Sequence, residues 1–413
     1  MDILKTNNEI DENQIVYDPY EENVKYIYEI DKKKYLSNAF IANGKLGPVS
    51  SFYKVEKDIS KTDILKAEKL VSIKKISNAY ETPSRGKNVL KQLSILSFID
   101  HPNVIKLIDI VIPDKKDYNN IYLIEENMGS NLEKLIIADC YDYKEKEQLI
   151  PWIIYQILQG IHYLHSCKIM HRDIKSANIL LDEKGNIKIC GFGNAISFDD
   201  YENTFRGEIN DFISEKGNLT YQAPEILASK KKNKTNYDEK IDLWGVGCIM
   251  AELYTKICPF FPSLKNSKTK WISQLNGIFK KLGKPSKEGI LKFASKERVK
   301  DIYKFYPFQK MDNKELFPNV YDEKVLDLMG KFLCIDPKER ITLKDAIKHP
   351  YFDVIKEFQD KDDFIESDKI FVNEYEHKIK EMEKINTIFN EQILFYQNEI
   401  LFKQKNFHTK TKV

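Results

Sequence analysis

The sequence predicts an α+β protein of two lobes, a β-rich lobe followed by a helical lobe. Between residues 26 and about 126, short runs typical of β-strands dominate, and one helical run at 88–99 interrupts them. From about residue 132 to 352, long runs with helical periodicity take over and strand-like pieces are short. The order of these patterns indicates one domain, 26–352, built from two lobes.

Two segments flank this domain. Residues 1–25 are rich in Asn, Asp and Glu without sustained periodicity, which predicts a loose extension. Residues 353–413 are predicted to form an amphipathic helical extension with a long helix, because apolar residues recur every seven positions over 375–403. The recurring positions form two series: Ile379, Asn386, Ile393 and Ile400, and Tyr375, Met382, Phe389 and Tyr396.

Two arrangements of this helix remain open. In the first, it packs back on the helical lobe. In the second, it forms a coiled coil with a partner through 375–403, and Asn386 helps to fix the register. Both arrangements bury the same seam, so the periodicity does not choose between them.

Composition excludes several classes of protein. The 65 Lys and Arg residues nearly balance the 63 Asp and Glu residues, which argues against a protein built to bind nucleic acid. The six cysteines form no Cys-x-x-Cys pair, which is typical of reduced thiols in an intracellular protein. We expect no secretory signal or membrane span, because no apolar run approaches about 18 residues. The cytoplasm or the nucleus is the expected location.

The most informative motif is the octet His171-Arg172-Asp173-Ile174-Lys175-Ser176-Ala177-Asn178, which lies between a long helical run and a short strand. It resembles the catalytic loop of protein kinases. The resemblance implies that Asp173 orients the attacking hydroxyl and accepts its proton, and that Lys175 neutralises charge on the moving phosphoryl group. It also implies that Asn178 holds a magnesium ion.

A second motif lies upstream, at residues 42–49. It resembles the glycine-rich loop that covers nucleotide phosphates, with Ala42 in place of the first glycine and with Gly44, Gly47 and Val49 retained. Glycine is needed where the backbone approaches phosphate closely, and Ala42 costs less than the loss of Gly44 would.

Further nucleotide contacts follow from the same resemblance. Lys74 occupies the register of the strand lysine that binds the α and β phosphates. Glu126, Met128 and Asn131 match the positions that line the rest of the ATP site. The resemblance therefore implies ATP and magnesium as cofactors.

Additional motifs are similar to those of cyclin-dependent kinases and their close relatives, the CMGC group, over about residues 30–352. Glu225 closes the activation segment, Asp242 begins the motif that follows, and Arg340 lies where it is expected to pair with Glu225. The resemblance implies that these three residues support the fold. A lysine at position 175 is typical of Ser/Thr kinases.

The pattern fails first at Gly191. Family members carry Asp there, before Phe192, as the main protein ligand of the catalytic magnesium. Glycine offers no side-chain oxygen, which argues against the magnesium. Losing such a ligand removes several kcal/mol of transition-state stabilisation, which corresponds to roughly thousands-fold in rate.

Two further departures concern Lys74. The helix glutamate that pairs with this lysine in the family is Gln92, and the usually apolar position at the back of the pocket is Glu125. One hypothesis is that Glu125 supplies the anion that Gln92 no longer provides. The alternative is drift in a pocket that no longer supports turnover.

The last departure lies in the activation segment. Asn218 replaces a Thr that touches the catalytic Asp and Lys in Ser/Thr kinases, and Gln222 replaces the usual Arg. Ser214 lies near the place of the activating phosphothreonine, where Arg172 is positioned to receive its phosphate. A plain exposed serine is the alternative interpretation of Ser214.

These observations predict a kinase domain that binds ATP and transfers phosphate poorly. An active Ser/Thr protein kinase and a non-catalytic scaffold or allosteric partner remain as alternatives. The expected partner is a protein substrate or a regulated kinase. A cyclin is one candidate, although residues 86–92, in the place of the cyclin-binding helix, share almost no letters with the family's signature.

Overall fold

An antiparallel sheet and one helix dominate the first of two structural units. The strands are β1 (Ile27–Ile30), β2 (Lys33–Gly44), β3 (Gly47–Lys57), β4 (Leu65–Ser77), β5 (Leu107–Val111) and β6 (Asn120–Glu126). They pair in the order β1-β2-β3-β4-β6-β5, and α1 (Pro83–Phe98) follows β4. The unit comprises 1–93, 106–127 and 379–413.

The structure is a computed structural model. The residues that it describes are 27–30, 33–44, 47–57, 65–79, 81–111, 120–138, 143–198, 219–229, 237–258, 270–317, 319–359, 364–372, 391–398 and 400.

Strand β4 shows how the sheet forms. Val71 and Ile73 are buried, whereas the alternating Ser72 and Lys74 are partly exposed, which is the period-two pattern of a strand with one buried face. Val71 and Ile73 pack with apolar residues of β5 and β6, including Ile124. The pattern leaves Lys74 on the face opposite this cluster.

The second unit is helical and comprises 94–105 and 128–378. Its helices are α2 (Leu132–Ala138), α3 (Tyr143–Ser166), α4 (Pro224–Leu227), α5 (Lys240–Thr255), α6 (Lys270–Leu282), α7 (Lys287–Leu291), α8 (Lys296–Tyr303), α9 (Asn313–Leu316), α10 (Glu323–Phe332) and α11 (Leu343–Ile347). Its short strands are β7 (Ser130–Asn131), β8 (Ile169–Met170), β9 (Ile179–Leu181), β10 (Ile187–Ile189) and β11 (Ile196–Ser197). A sheet-rich unit and a helical unit confirm the predicted α+β class.

Helix α5 is the centre of the helical unit and is apolar almost all round, which is typical of a buried helix. Two glycines inside it permit close packing. A Cβ at Gly245 would lie 2.6 Å from the backbone oxygen of Ile174, and one at Gly247 would lie 2.7 Å from Phe332 Cβ. Gly245 therefore lets the catalytic-loop segment lie directly on α5.

Residues 364–372 continue past the predicted domain and pack on the helical unit. The Phe371 amide donates to the Cys167 oxygen at 3.0 Å, and its ring meets Phe98 edge-on at 5.5 Å. The Ser367 amide donates to Ser166 Oγ at 2.8 Å. This part of the extension is therefore fixed at the end of α3.

A last helix, α12 (391–398), belongs to the first unit. Ile393, Tyr396 and Ile400 of the predicted seam are buried, and Gln397 Nε2 donates to the Ile110 oxygen of β5 at 2.5 Å. Packing on β5 differs from the expected packing on the helical lobe. The other seam residues lie outside the described residues, and the coiled-coil partner stays a prediction.

Within the described ranges, no helix is both long enough and apolar enough to cross a bilayer.

We expect Phe371→Ala to lower the free energy of unfolding by about 3–5 kcal/mol, because it removes a buried ring that packs against Phe98 and holds the extension on the helical unit. Thermal unfolding of the full chain measures the loss. Val372→Ala is the matched control, since this neighbouring side chain is 59% exposed. Equal midpoints for the two variants would contradict the assigned anchoring role.

Candidate functional site

A buried carboxylate holds the loop that carries the predicted catalytic residues. Asp242 Oδ2 accepts from the His171 amide at 3.0 Å, and Oδ1 accepts from the Arg172 amide at 2.7 Å. Burial alone would raise the pKa of Asp242, but the bonds from His165 and from the loop lower it below its usual value. The charge is thus retained, and it fixes the loop although Arg172 has a positive φ of 62°.

Two side chains of this loop, those of Lys175 and Asn178, contact the Asp173 carboxylate. Lys175 Nζ lies 3.0 Å from Oδ1 and 2.9 Å from Oδ2. Asn178 Nδ2 donates to the Asp173 backbone oxygen at 2.8 Å and to Oδ2 at 3.0 Å. The predicted base is therefore surrounded by a cation and an amide from its own loop.

His171 connects this loop to the segment that follows β10. Its Nε2 lies 3.0 Å from the Cys190 oxygen, and its Nδ1 lies 3.3 Å from the Asp173 amide. Since a carbonyl accepts and an amide donates, the ring carries its proton on Nε2. Burial lowers the pKa of His171, which favours this neutral ring. Phe192 packs edge-on against it at 4.9 Å.

Gly191 lies between those two contacts, in the left-handed conformation with φ 89°. A Cβ at this position would lie 2.7 Å from Asn178 Cγ and Oδ1 and 2.8 Å from its Nδ2. The side chain of Asn178 thus fills the space beside Gly191. No side chain at position 191 projects toward the loop.

The side chains present do not fit the family's magnesium site. Magnesium prefers near-octahedral oxygen ligands and is usually held by one or two carboxylates. Gly191 supplies none, and the Asp173 carboxylate already accepts from Lys175 and Asn178. Among the described residues, no cluster of three or more His, Cys, Asp or Glu side chains could hold a metal ion.

A hydrogen-bonded chain that the sequence analysis missed links the loop to the end of the activation segment. Ser176 Oγ lies 2.9 Å from the Tyr221 hydroxyl, which donates to Glu252 Oε1 at 2.6 Å. Burial is the main cause that raises the pKa of both Tyr221 and Glu252. The sequence feature that could have revealed this chain is Glu252, a charged residue in the otherwise apolar second half of α5.

The predicted scaffold pair forms at the end of this segment. Arg340 Nη1 lies 2.6 Å from Glu225 Oε1, and Nη2 lies 2.9 Å from Oε2. Both side chains are almost fully buried. This two-point geometry fixes the start of α4 to the segment before α11.

The guanidinium of Arg172 has partners of its own. Its Nε donates to the Asn194 oxygen at 2.7 Å, and Nη1 donates to the Tyr237 hydroxyl at 2.9 Å. Ser214 and Asn218 lie outside the described residues. A role of Arg172 as a phosphate receptor therefore stays a prediction.

In the first unit, the described residues of the predicted phosphate loop lie at the end of β2 and the start of β3. Gly44 pairs with Gly47, and Ala42 pairs with Val49, in the antiparallel ladder between β2 and β3. Val49 lies opposite Lys74 of β4 in the adjacent register. The sheet thus places these five positions on three neighbouring strands.

Glu125 lies on β6, directly opposite Ser72 of β4, and Lys74 is two residues further along the same face. Burial raises the pKa of Glu125, while Lys74 acts in the opposite direction. No ion pair within 4.0 Å joins Lys74 to a carboxylate of the described residues. Gln92 is buried, and its Oε1 has no hydrogen-bond partner within the described parts of the chain.

Three remaining predicted nucleotide contacts have local structural roles. Glu126 Oε1 accepts from the Lys106 amide at 2.7 Å. Asn131 Oδ1 accepts from the Lys134 amide at 2.9 Å, which caps the first turn of α2. The Met128 oxygen accepts from Ser130 at 3.1 Å, and its side chain is largely buried.

Comparison with known proteins decides the family. The protein kinase domain model matches residues 50–352. The chain belongs to the protein kinase family. It is 32% identical over 293 residues to mitogen-activated protein kinase 6 of Arabidopsis thaliana, which covers 70% of this chain and 68% of that protein. It is also 33% identical over 281 residues to the mitogen-activated protein kinase HOG1 of Cryphonectria parasitica, covering 68% and 71%.

These relatives confirm the resemblance to CMGC kinases. They are mitogen-activated protein kinases, whereas the sequence motifs also resemble cyclin-dependent kinases. Protein kinases use ATP and magnesium to phosphorylate proteins. The catalytic-loop geometry agrees with this family, and residue 191 is Gly where the family's Asp-Phe-Gly motif carries its Asp.

We expect Glu125→Gln to remove a pH-dependent loss of stability. A carboxyl whose pKa is raised in the folded chain contributes stability that is present below its unfolded pKa and lost as pH rises through its folded pKa. The thermal midpoint of the variant minus that of the parent chain should therefore increase as the pH is raised from about 4 to about 7. Glu133→Gln, at an exposed carboxylate of α2, is the control. A pH-independent difference would exclude the assigned burial effect.

Proposed function

We propose that this chain binds ATP through its kinase domain and that its transfer of phosphate to Ser or Thr is impaired. One observation carries the proposal. Gly191 replaces the acid that holds the catalytic magnesium in the family, and the space beside it is filled by the Asn178 amide. A missing ligand at this point costs several kcal/mol of transition-state stabilisation, or roughly thousands-fold in rate.

Nucleotide contact is assigned to the residues that retain the family's positions. Gly44, Gly47 and Lys74 provide backbone groups and a cation for the phosphates, with Ala42 and Val49 beside them. Glu126, Met128 and Asn131 complete the set. Bound magnesium supplies charge neutralisation of the phosphates in the family, and in this chain Lys175 and Asn178 both contact the Asp173 carboxylate.

The Glu125 hypothesis adds to this site. Diagonal placement on adjacent strands lets the carboxylate and Lys74 attract each other electrostatically, which supports Glu125 as the replacement for the anion lost at Gln92. The rise in its pKa points the other way, because a neutral carboxyl supplies no charge. Drift in a pocket without turnover is the competing explanation.

An active Ser/Thr kinase is the second candidate function. The observation in its favour is that Asp173, Lys175 and Asn178, the loop residues to which the family assigns the chemistry, are all present and lie in contact with one another. A non-catalytic scaffold or allosteric partner is the third, and Glu125 favours it by disfavouring bound phosphate. A protein substrate, a regulated kinase or a cyclin is the proposed partner, in the cytoplasm or the nucleus.

Phosphoryl transfer from ATP to a mixture of Ser/Thr peptides, with magnesium present, distinguishes these functions. We expect the parent chain to fall far below the range of about 1–100 per second of active kinases, and Asp173→Asn to change the rate little. Lys184→Gln, an exposed surface change, is the control for protein quality. A rate within that range that Asp173→Asn abolishes would establish the active kinase instead.

A further inference from the structure

A cavity of about 500 Å³ lies in the helical unit, and no residue of the catalytic loop lines it. Its walls come from three segments, 282–285, 308–317 and 330–336. Most of the lining residues are apolar, among them Leu316 and Leu333. A space of this size and character accepts a bulky apolar group.

Two of these walls are joined through their backbones. The Lys284 amide donates to the Phe308 oxygen at 2.9 Å, and Leu282 pairs with Lys310 in an antiparallel bridge. Gly283 permits this close approach, since its φ is 83° and a Cβ there would lie 2.8 Å from the Lys310 amide nitrogen. The cavity therefore has a fixed edge, and Lys310 lies on it.

Positive charge is concentrated beside the cavity. Lys284 and Lys310 line it, and Lys292 binds Asp336, the acidic residue of the lining, at 3.0 Å. Burial lowers the pKa of Lys284, and the charge of the neighbouring Lys287 lowers it further. The local charge therefore remains positive after the ion pair with Asp336 is taken into account.

The surrounding sequence carries the same charge. Residues 280–310 contain nine lysines and one arginine against three acidic residues, whereas the whole chain has a net charge of +2. Most of these lysines are exposed. A local concentration of one charge in a nearly neutral chain favours an anionic partner at this surface.

The placement of the lysines favours an acidic peptide over a single small anion. Lys284 Nζ donates to the Tyr303 oxygen at 3.1 Å and to the Phe305 oxygen at 2.6 Å. Lys292 Nζ donates to Asp336 instead. These two charges are thus fixed at separate points and do not converge on one anion. Several carboxylates along an extended segment match this arrangement, and one large apolar side chain matches the cavity.

We propose that this cavity and its lysines bind an acidic segment of a partner protein, which inserts one large apolar side chain into the cavity. The inference goes beyond the proposed function, since none of the residues assigned to nucleotide or to catalysis takes part. Charge brings the segment to the surface, and the apolar side chain supplies most of the specificity.

Fluorescence anisotropy of the full chain with labelled peptides tests this site. The probe carries one Phe between two runs of Glu, and matched peptides carry Ala in place of Phe or Lys in place of Glu. We expect the Phe probe to bind at least about tenfold more tightly than the Ala peptide, because only Phe fills the cavity. The Lys peptide should not bind. No nucleotide is present, so the outcome does not depend on whether the chain binds or uses ATP.

Two variants locate the binding. Lys310→Glu reverses a charge at the cavity edge and should weaken binding of the Phe probe by about fivefold or more at low salt. Lys344→Glu, at an exposed lysine of α11, is the matched control and should leave the affinity unchanged. Cys334→Phe places a ring in the cavity and should remove the preference for Phe over Ala. If Cys334→Phe fails to fold, the peptide comparison and Lys310→Glu still decide.

Three results would overturn the proposal. Equal affinities for the Phe and Ala peptides would show that charge alone accounts for binding. Equal losses in Lys310→Glu and Lys344→Glu, or no binding of the Phe probe at about 1 mM, would exclude the cavity as its site. Binding to phosphatidylserine vesicles that Lys310→Glu weakens, without binding to the Phe probe, would assign the surface to an anionic membrane instead.

Discussion

The buried carboxylate of Asp242 is the constraint on which the site depends. It holds two successive backbone amides, at His171 and Arg172, and so stabilises a loop that includes a residue with positive φ. A carboxylate buried in this way is stable only because hydrogen bonds replace water. Gly245 lets the same loop lie directly on α5, so one helix supplies both the charge and the surface that fix the catalytic residues.

From this fixed loop, the geometry extends to Gly191 through one hydrogen-bonded path. His171 holds the Cys190 oxygen, and the Asn178 backbone holds the Cys190 amide. The left-handed turn at Gly191 then brings its backbone against the Asn178 side chain. The result is a catalytic loop whose polar groups satisfy one another, which explains how the kinase framework persists without the acid that would bind magnesium.

The fold class and the residues of the catalytic loop could be predicted, because they depend on local periodicity and on residue types at fixed spacing. The link from Tyr221 to Glu252 could not, since it joins residues far apart in sequence through tertiary packing. Periodicity identified the buried face of the last helix, including Ile393 and Tyr396, but not β5 as its neighbour. The closeness of Gly191 to the Asn178 side chain, at which a Cβ on residue 191 would lie 2.7 Å from Asn178 Cγ, depends on the left-handed backbone at Gly191, which no sequence pattern encodes.

Calorimetric titration of the parent chain with ATP, in excess magnesium and again in excess chelator, tests the central claim most directly. If the site has lost its metal ligand but keeps its nucleotide contacts, ATP binds in both conditions and the two dissociation constants agree within about threefold. Binding that requires magnesium, or that tightens by about tenfold or more when it is added, would contradict the account, because it would show a metal site that functions without an acid at position 191.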